Sequence, residues 1–407
     1  MRSDRRLLAA LLVLGLAWAI HAGAVWRRPA HEPVSHFAVA AATPSIGSLR
    51  EIGVYDLPAP EGMPASHSSA LVTAKAIDDS DELVAFWFAG ARESASDVRI
   101  YASRFGGPAV VAEPAATAAA KTSTASMASA ASTASTRRWS TPVAVVDRDM
   151  LGAALGFGVR RIGNPVAWAD QAGRVHLFVV ATGLGGWAAS RIVHLVSNDS
   201  ARRFTVKRIL PLSPLFNTSM LVRGAPVPMA DGGALLPIYF EIGAKFPLAL
   251  RLAADGAPVD LVRVADGLDF AQPSIVPLGP DVGVALLRDV GKGRRLRLVR
   301  TEDGGRSWAP MQTSDQPNPD SSVVALRLPD GSLVAASNPL ENGRHALALL
   351  RSTDGATWRL WKRVEDGAPG EEFSYPSLHL LGAELHLSYT WQRRLIRHRR
   401  YAMEPGS

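Results

Sequence analysis

The stretch Val299 to Pro310, VRTEDGGRSWAP, sets an acid, two glycines and a tryptophan between an apolar run and a proline. Taken alone, Asp303-Gly304-Gly305 is a turn: Asp bonds the backbone ahead of it, and glycine supplies the positive φ that lets two strands reverse. One such turn indicates no more than a hairpin. It has a near copy, however, in Ser352-Thr353-Asp354-Gly355-Ala356-Thr357-Trp358, shorter by one residue. A weaker copy runs from Ser197-Asn198-Asp199 to Phe204, a fainter one is Ala253-Ala254-Asp255-Gly256, and a split one begins near Ser103 and resumes at Trp139. The copies at 197, 253, 301 and 352 recur roughly every fifty residues, the period of a propeller blade of four short strands. Ser or Thr and Asp tie the turn between a blade's last two strands, Gly permits the bend, and Trp folds back between blades. Read this way the motif is a structural staple and not a catalytic site.

The rest of the chain follows the same strand-and-turn grammar. ELVAFWFAG, DVRIYASRF, RVHLFVVAT, RIVHLVSND, ALLPIYFEI, VGVALLRDV, HALALLRST and ELHLSYTW are short apolar or alternating runs fenced by Gly, Asp, Asn or Pro. Five turns plus one blade closed by both termini give an all-β, six-bladed β-propeller over residues 50–402, with 403–407 as a tail. Pairing LIRHRRYAM with IGVYDL would close the ring and remove exposed edges. Seven blades is the competing count, because 140–197 is only loosely accounted for. Residues 108–136 are almost all Ala, Ser and Thr and read as a flexible insertion, a helical hairpin being the alternative. The flanks YASRFGG and RRWSTP read as two halves of one hairpin.

The chain has 407 residues, 47% of them hydrophobic, enough for a real core. Its net charge of +7, from 44 basic and 37 acidic residues, is spread over scattered arginines. No nucleic-acid reader module accompanies it, so no nucleic-acid partner is expected. The absence of cysteine removes disulfides, thiolate metal sites and cysteine nucleophiles together. No pattern of metal-ligand spacing is present either, so neither metal nor cofactor is implied.

Arg2, Arg5 and Arg6 precede LLAALLVLGLAWAIHAGAVW, so residues 1–28 read as a signal peptide or a membrane anchor, and 29–49 as a linker. Ala22-Gly23-Ala24 suits cleavage; the long run and Trp26-Arg27-Arg28 suit retention. A buried core helix is the ordinary alternative. The expectation is a monomeric cell-envelope protein, anchored in the inner membrane with a periplasmic propeller, or secreted if the leader is removed.

The spacing of S/T-x-D-x-G-x-S/T-W boxes resembles the Asp-boxes of the sialidase superfamily. FWFAGARESASDVRIYASR, GNPVAW, GAPVPMADGGALLPIY, QPSIVPL, QPNPDSSVVALRLPDGSLV and EEFSYPSL resemble its bacterial and plant sialidase-like, or BNR-repeat, branch. The resemblance implies a site at the ring's centre with three arginines on the sugar carboxylate, an Asp acid, and a Tyr nucleophile paired with a Glu. Arginine forks suit a planar carboxylate. A neutral tyrosine suits an anomeric carbon whose own carboxylate repels charge. Carried over, Arg92 matches the early arginine and Asp97, five residues on, the general acid. Arg288 and Arg344 match the second and third carboxylate arginines, thirteen and eight residues before their boxes. Tyr375 takes the nucleophile's place.

Two positions depart from that pattern. His67 stands where the first arginine belongs, and Gln272 where the glutamate belongs. Because Gln takes no proton, Glu241 or Glu372 would have to serve as the base. Each residue also has an ordinary reading: a surface salt bridge for Arg92 with Glu93 or Asp97, exposed turns for Arg288 and Arg344, a packed aromatic for Tyr375. Three functions follow: a glycosidase removing a terminal acidic sugar from a glycan, a uronate-directed lyase, or a carbohydrate-binding propeller without activity.

Overall fold

The computed structural model describes residues 11–17, 19, 36–106, 138–213 and 217–406. Its sheets explain why certain strands are apolar from end to end. Asp81–Gly90 and Val175–Thr182 are second strands of their sheets, and nearly every residue in them is buried. A strand inside a blade is covered on both faces by neighbouring blades, so alternation gives way to a continuous apolar run. Outer strands such as Thr205–Ile209 and Arg359–Asp366 are half-exposed and carry the charge.

Six antiparallel sheets form the ring. Blade 1 spans 65–146, blade 2 161–209, blade 3 220–263, blade 4 270–317, blade 5 324–366, and blade 6 begins at 373. The inner strands of adjacent blades touch around the ring, blade 6 against blade 1 included. The outermost strand of blade 6 is Ile46–Asp56, paired antiparallel with Leu395–Pro405, so that Tyr55 faces His398 and Asp56 faces Arg397. The ring is thus closed by the two ends of the chain, as the sequence suggested, although the last strand runs to 405 rather than 402. Within 140–197 lie the outer strand of blade 1, the helix Arg148–Leu155 and the first strands of blade 2. That stretch leaves no room for a seventh blade. The helix is short because Asp147 caps its start, Oδ1 accepting from Met150 N at 2.8 Å, and Gly156 ends it at φ 73°.

Other expected segments resolve differently. Within 29–49, residues 36–45 run across one end of the ring: Phe37 N donates to Pro280 O at 2.7 Å, Ala38 N to Pro228 O at 3.0 Å, and Thr43 N to Pro329 O at 2.9 Å. Phe37 is buried with Met229, Val264 and Ile275, so this stretch straps blades 3, 4 and 5 together. The insertion at 108–136 lies outside the described residues, but its flanks pair: Phe105 bridges Trp139, and Ser140 N donates to Arg104 O at 2.8 Å. Most of 1–28 also lies outside them. Residues 11–17 are helical, and among the described residues no helix is long and apolar enough to cross a membrane.

The repeated boxes sit between the third and fourth strands. In blade 4, Thr301 Oγ1 donates to Asp303 Oδ1 and accepts from Gly305 N, while the Asp303 carboxylate accepts from Arg306 N, Ser307 N and Ser307 Oγ. Blade 5 repeats this with Ser352 and Asp354. The bond from Thr357 N, reinforced by Ala356 N and Ser352, pulls the Asp354 carboxyl down to about 2. Each turn leans on the preceding blade. Trp358 packs with Val284, Leu286 and Leu298 of blade 4, and Phe204 of blade 2 meets Phe86 of blade 1 edge-on at 5.7 Å. Gly256 in the blade 3 turn lies over a histidine pair of blade 2, where a Cβ would come within 2.6 Å of His176 and His194. At the blade 6 to blade 1 seam Trp139 Nε1 donates to His398 at 3.2 Å.

Candidate active site at the hub

The innermost strands do not run straight. Their pairing slips by one residue between His67 and Ala70, Gly163 and Val166, Ala271 and Ser274, and Ser374 and Ser377. Inside each slip one non-glycine residue has positive φ: Ser68 at 56°, Asn164 at 46°, Gln272 at 49° and Tyr375 at 52°. These are β-bulges, which bend a strand and re-aim a side chain. Three of the four residues precede proline, as Asn164-Pro165, Gln272-Pro273 and Tyr375-Pro376. Proline forgoes its N–H at the one place where the ladder is already broken. Left-handed backbone at a bulky residue costs on the order of 1 kcal/mol or more and persists where the surrounding fold over-determines it.

Blades 3 and 5 vary the device. In blade 3 the inner strand is interrupted between Val222 and Val227, and Arg223-Gly224 occupies the gap. A Cβ on Gly224 would strike the Pro273 carbonyl oxygen, so glycine lets blades 3 and 4 approach here. In blade 5 Asp320, at φ 58°, lies just before the inner strand.

Side chains from blades 1, 3, 4 and 5 gather around Tyr375 of blade 6. Arg288 Nη1 donates to Tyr375 Oη at 3.4 Å and to Gln272 Oε1 at 3.1 Å, and Arg288 Nε donates to Asp320 Oδ1 at 2.7 Å. Gln272 Nε2 continues the chain to Tyr239 Oη at 3.3 Å. The Arg344 guanidinium lies 5.8 Å from the centre of the Tyr375 ring, donates to Asp320 O at 2.7 Å and pairs with Glu372 at 3.3 Å. The His67 ring meets the Tyr375 ring at 4.3 Å between centroids. Beneath them Arg223 stacks on Tyr375 at 5.3 Å, donates to Pro376 O at 2.6 Å and reaches Ser69 O at 3.5 Å. One buried guanidinium therefore ties blade 3 to blades 6 and 1.

Of the residues singled out in the sequence, Tyr375, Arg288, Arg344, Gln272 and His67 thus converge. Arg92 stands to one side, sharing with His67, Glu93 and Arg393 a cavity of about 270 Å³. Asp97 is exposed and its Oδ2 accepts from Ala91 N at 2.9 Å, closing the 91–97 turn. It makes no contact with Tyr375 among those described. Glu241 follows the second strand of blade 3, half-buried, within electrostatic reach of Arg288 and Asp320.

Four further members of the cluster escaped the sequence reading: Arg223, Tyr239, Asp320 and Arg393. Arg223 stands one residue ahead of the GAPVPMADGGALLPIY segment, and the Gly-Ala-Pro after it echoes the other bulges. That echo is the signal that could have found it. Asp320 was inside a matched segment, but its type alone does not mark it.

The electrostatics sort these groups. Burial lowers the Arg223 pKa to about 10, so it stays charged at neutral pH. Burial also opposes charge on Arg288, but Tyr375 and Asp320 more than offset it and its pKa ends above the ordinary value. Burial, aided by Arg393, lowers His67 to about 3. His67 is therefore a neutral imidazole, and both its ring nitrogens are buried without a hydrogen-bond partner among the described residues. Burial pushes Glu372 up, yet the bonds from Arg393 and Ser374 outweigh it and hold the carboxyl at about 2. Burial raises Glu241 above the usual carboxylate range. Among the described residues no group of three His, Asp or Glu side chains is placed to hold a metal.

A six-bladed ring with Asp-box turns and an arginine-lined tyrosine at its hub defines a sialidase-like propeller. Residues 81–387 match the BNR repeat-like domain family, and the chain belongs to it. No curated protein matches it. Among solved structures it is similar to a protein of unknown function from Dyadobacter fermentans, at 14% identity and TM-score 0.64, covering 88% of this chain and 100% of that one. It is also similar to the leech intramolecular trans-sialidase, at 13% identity and TM-score 0.60, covering 86% and 70%. A point mutant of the NanB sialidase from Streptococcus pneumoniae gives 10% identity and TM-score 0.59, again with 86% and 70% covered. These likenesses establish a shared fold.

Proposed function

We propose that the protein is a glycoside hydrolase that removes a terminal acidic sugar, a sialic acid or a related one, from a glycan bound at the hub. The observation that carries this reading is the convergence of Arg288 and Arg344, from different blades, on the half-buried Tyr375. Two guanidinium forks fit a planar carboxylate. A tyrosine beside them can attack the anomeric carbon of a sialic acid, which bears that carboxylate, giving its phenol proton to a base such as the ionised Glu372 carboxylate, while the departing oxygen takes a proton from a nearby acid. Glu241, half-buried with its pKa raised above the usual carboxylate range, has the chemistry of such a proton donor. Asp97 sits in an exposed turn and would reach the substrate only from the side of Arg92. His67 in the first arginine's place, held neutral, offers a hydrogen bond where the sialidase pattern offers a charge. An acidic sugar other than sialic acid, such as a uronic acid whose carboxylate is borne by C5 and not by the anomeric carbon, fits that change. Arg2, Arg5, Arg6 and the apolar run after them support placing the propeller in the cell envelope, outside the cytoplasm.

The test is turnover of fluorogenic sialoside and uronoside substrates by the full chain, beside a Tyr375→Phe variant. Release by the parent and not by the variant is the expected result; folded protein inert on both substrates would overturn the reading. A lyase is the second reading, favoured by the neutral His67 packed on Tyr375 and by Gln272 in the glutamate's place. Ultraviolet-absorbing unsaturated ends produced from uronate polymers would select it. Gln272→Glu separates the two: it supplies a carboxylate base for the hydrolase and raises turnover about tenfold, but leaves elimination unchanged.

A further inference from the structure

Beside the hub, on the side of blades 1 and 2, lies a cleft of about 460 Å³ lined by Arg92, Ser94, Ser96, Arg148, Arg160 and Arg161. The turn 91–98 of blade 1 forms one wall, and the chain that leaves the Arg148–Leu155 helix for blade 2 forms the other. Arg148 has an acidic neighbour, Asp149 at 3.5 Å, itself 88% exposed. No ion pair engages the side chains of Arg92, Arg160 or Arg161 among the described residues. Guanidinium groups gathered in one concavity repel each other unless an anion is shared among them. The cleft also adjoins the cavity beside the hub. His67 touches Tyr375 and lines the smaller 270 Å³ cavity, and Arg92 lines that cavity and the cleft alike.

We propose that this arginine cleft is a second anionic subsite, holding a carboxylated or sulfated sugar unit farther along the glycan whose terminal acidic unit occupies the hub. The proposal rests on the glycan reading of the hub and narrows its substrate to a chain carrying more than one negative charge. Arg160 and Arg161, on the outer wall, make the contacts exclusive to this subsite, whereas Arg92 serves both cavities. The path from Tyr375 past His67 and Arg92 sets the direction in which the glycan runs.

Calorimetric titration of the full chain tests this with four probes: glucuronate, a linear uronate tetramer, a sulfated tetramer and a neutral tetramer of the same length. The parent is expected to bind one or both anionic tetramers about tenfold or more tighter than glucuronate, and the neutral tetramer weakly. Arg160→Ala/Arg161→Ala removes that gain and flattens its salt dependence, while glucuronate binding is unchanged. Which tetramer responds tells carboxylate from sulfate. Equal tetramer affinity in the parent and the double variant overturns the proposal, as does equal affinity for the neutral tetramer. An Arg288→Ala variant separates the two claims. If it leaves all binding intact while the double variant does not, the hub reading fails and the cleft stands.

Discussion

The rim and the hub of this propeller solve opposite problems. At the rim, the box from Thr301 to Ser307 ties itself together: the Thr301 hydroxyl, the Asp303 carboxylate and four backbone N–H groups bond within a few residues. At the hub the arginines reach partners on other blades. Arg223 bonds to the backbone of Ser69 and Pro376, and Arg288 to Asp320 and Tyr375, across the ring. The rim spends residues on holding blades together, the hub on holding cations near one phenol. Positive φ at Gly304, Gly305 and Gly355 is free of strain, whereas at Gln272 and Tyr375 it is not. At the hub that strain falls on residues in or beside the cluster, Gln272 and Tyr375, although Ser200 and Ala201 carry positive φ in the blade 2 box as well.

Substitutions on the two sides should separate activity from stability. The largest effect is expected from Tyr375→Phe, which removes the phenol but keeps the packing with His67, Arg223 and Arg344. Turnover of the acidic glycoside should fall on the order of a thousandfold with the melting temperature unchanged. Steady-state kinetics beside a thermal melt checks this, and retained turnover would end the nucleophile role. Arg288→Ala should weaken binding of the acidic sugar about a hundredfold, measured by titration, because it removes a charge-assisted fork. At the rim the pattern inverts. Asp303→Ala leaves Arg306 N, Ser307 N and Thr301 without their acceptor and should lower stability by about 2 kcal/mol in denaturant unfolding. Activity per folded molecule should be untouched.

Acid tests both regions in one experiment. Burial holds His67 at the hub and His194 at the rim near about 3 when folded, against about 6.5 in an unfolded chain. The folded protein binds fewer protons, so this stability is complete above about pH 6.5 and is lost as pH falls toward about 3, by up to about 1.4 kcal/mol per pH unit for each histidine. Melting temperatures between pH 7 and pH 4 should fall accordingly, and His194→Gln should flatten the slope. A flat profile in the parent would show that these imidazoles are not buried as described.

What was readable from the sequence follows the same division. The boxes at 301 and 352 announced themselves because a Ser or Thr, an Asp and a Gly act on their own neighbourhood. The weak copies at 253 and 103 were legible once a period was known. Counting back from the boxes reached Arg288 and Arg344, which lie on or near strands of fixed length. Arg223 was not reachable that way, since its partners lie about a hundred and fifty residues distant. Asp97 shows the converse: a residue in the pattern's expected place whose own side chain closes a local turn.

The sequence by itself determined the all-β class, the blade period, the staples and the closure of the ring by its ends, because each depends on short-range bonds or on hydrophobic runs of strand length. Only the tertiary structure decided that blades 3, 4 and 6 would aim Arg223, Gln272 and Tyr375 at one point. It also placed Arg92, Arg160 and Arg161, without ion pairs among the described residues, along one cleft. Those outcomes depend on bulge geometry and on which blades face each other across the hub, and no local run of residues encodes a distance across a ring.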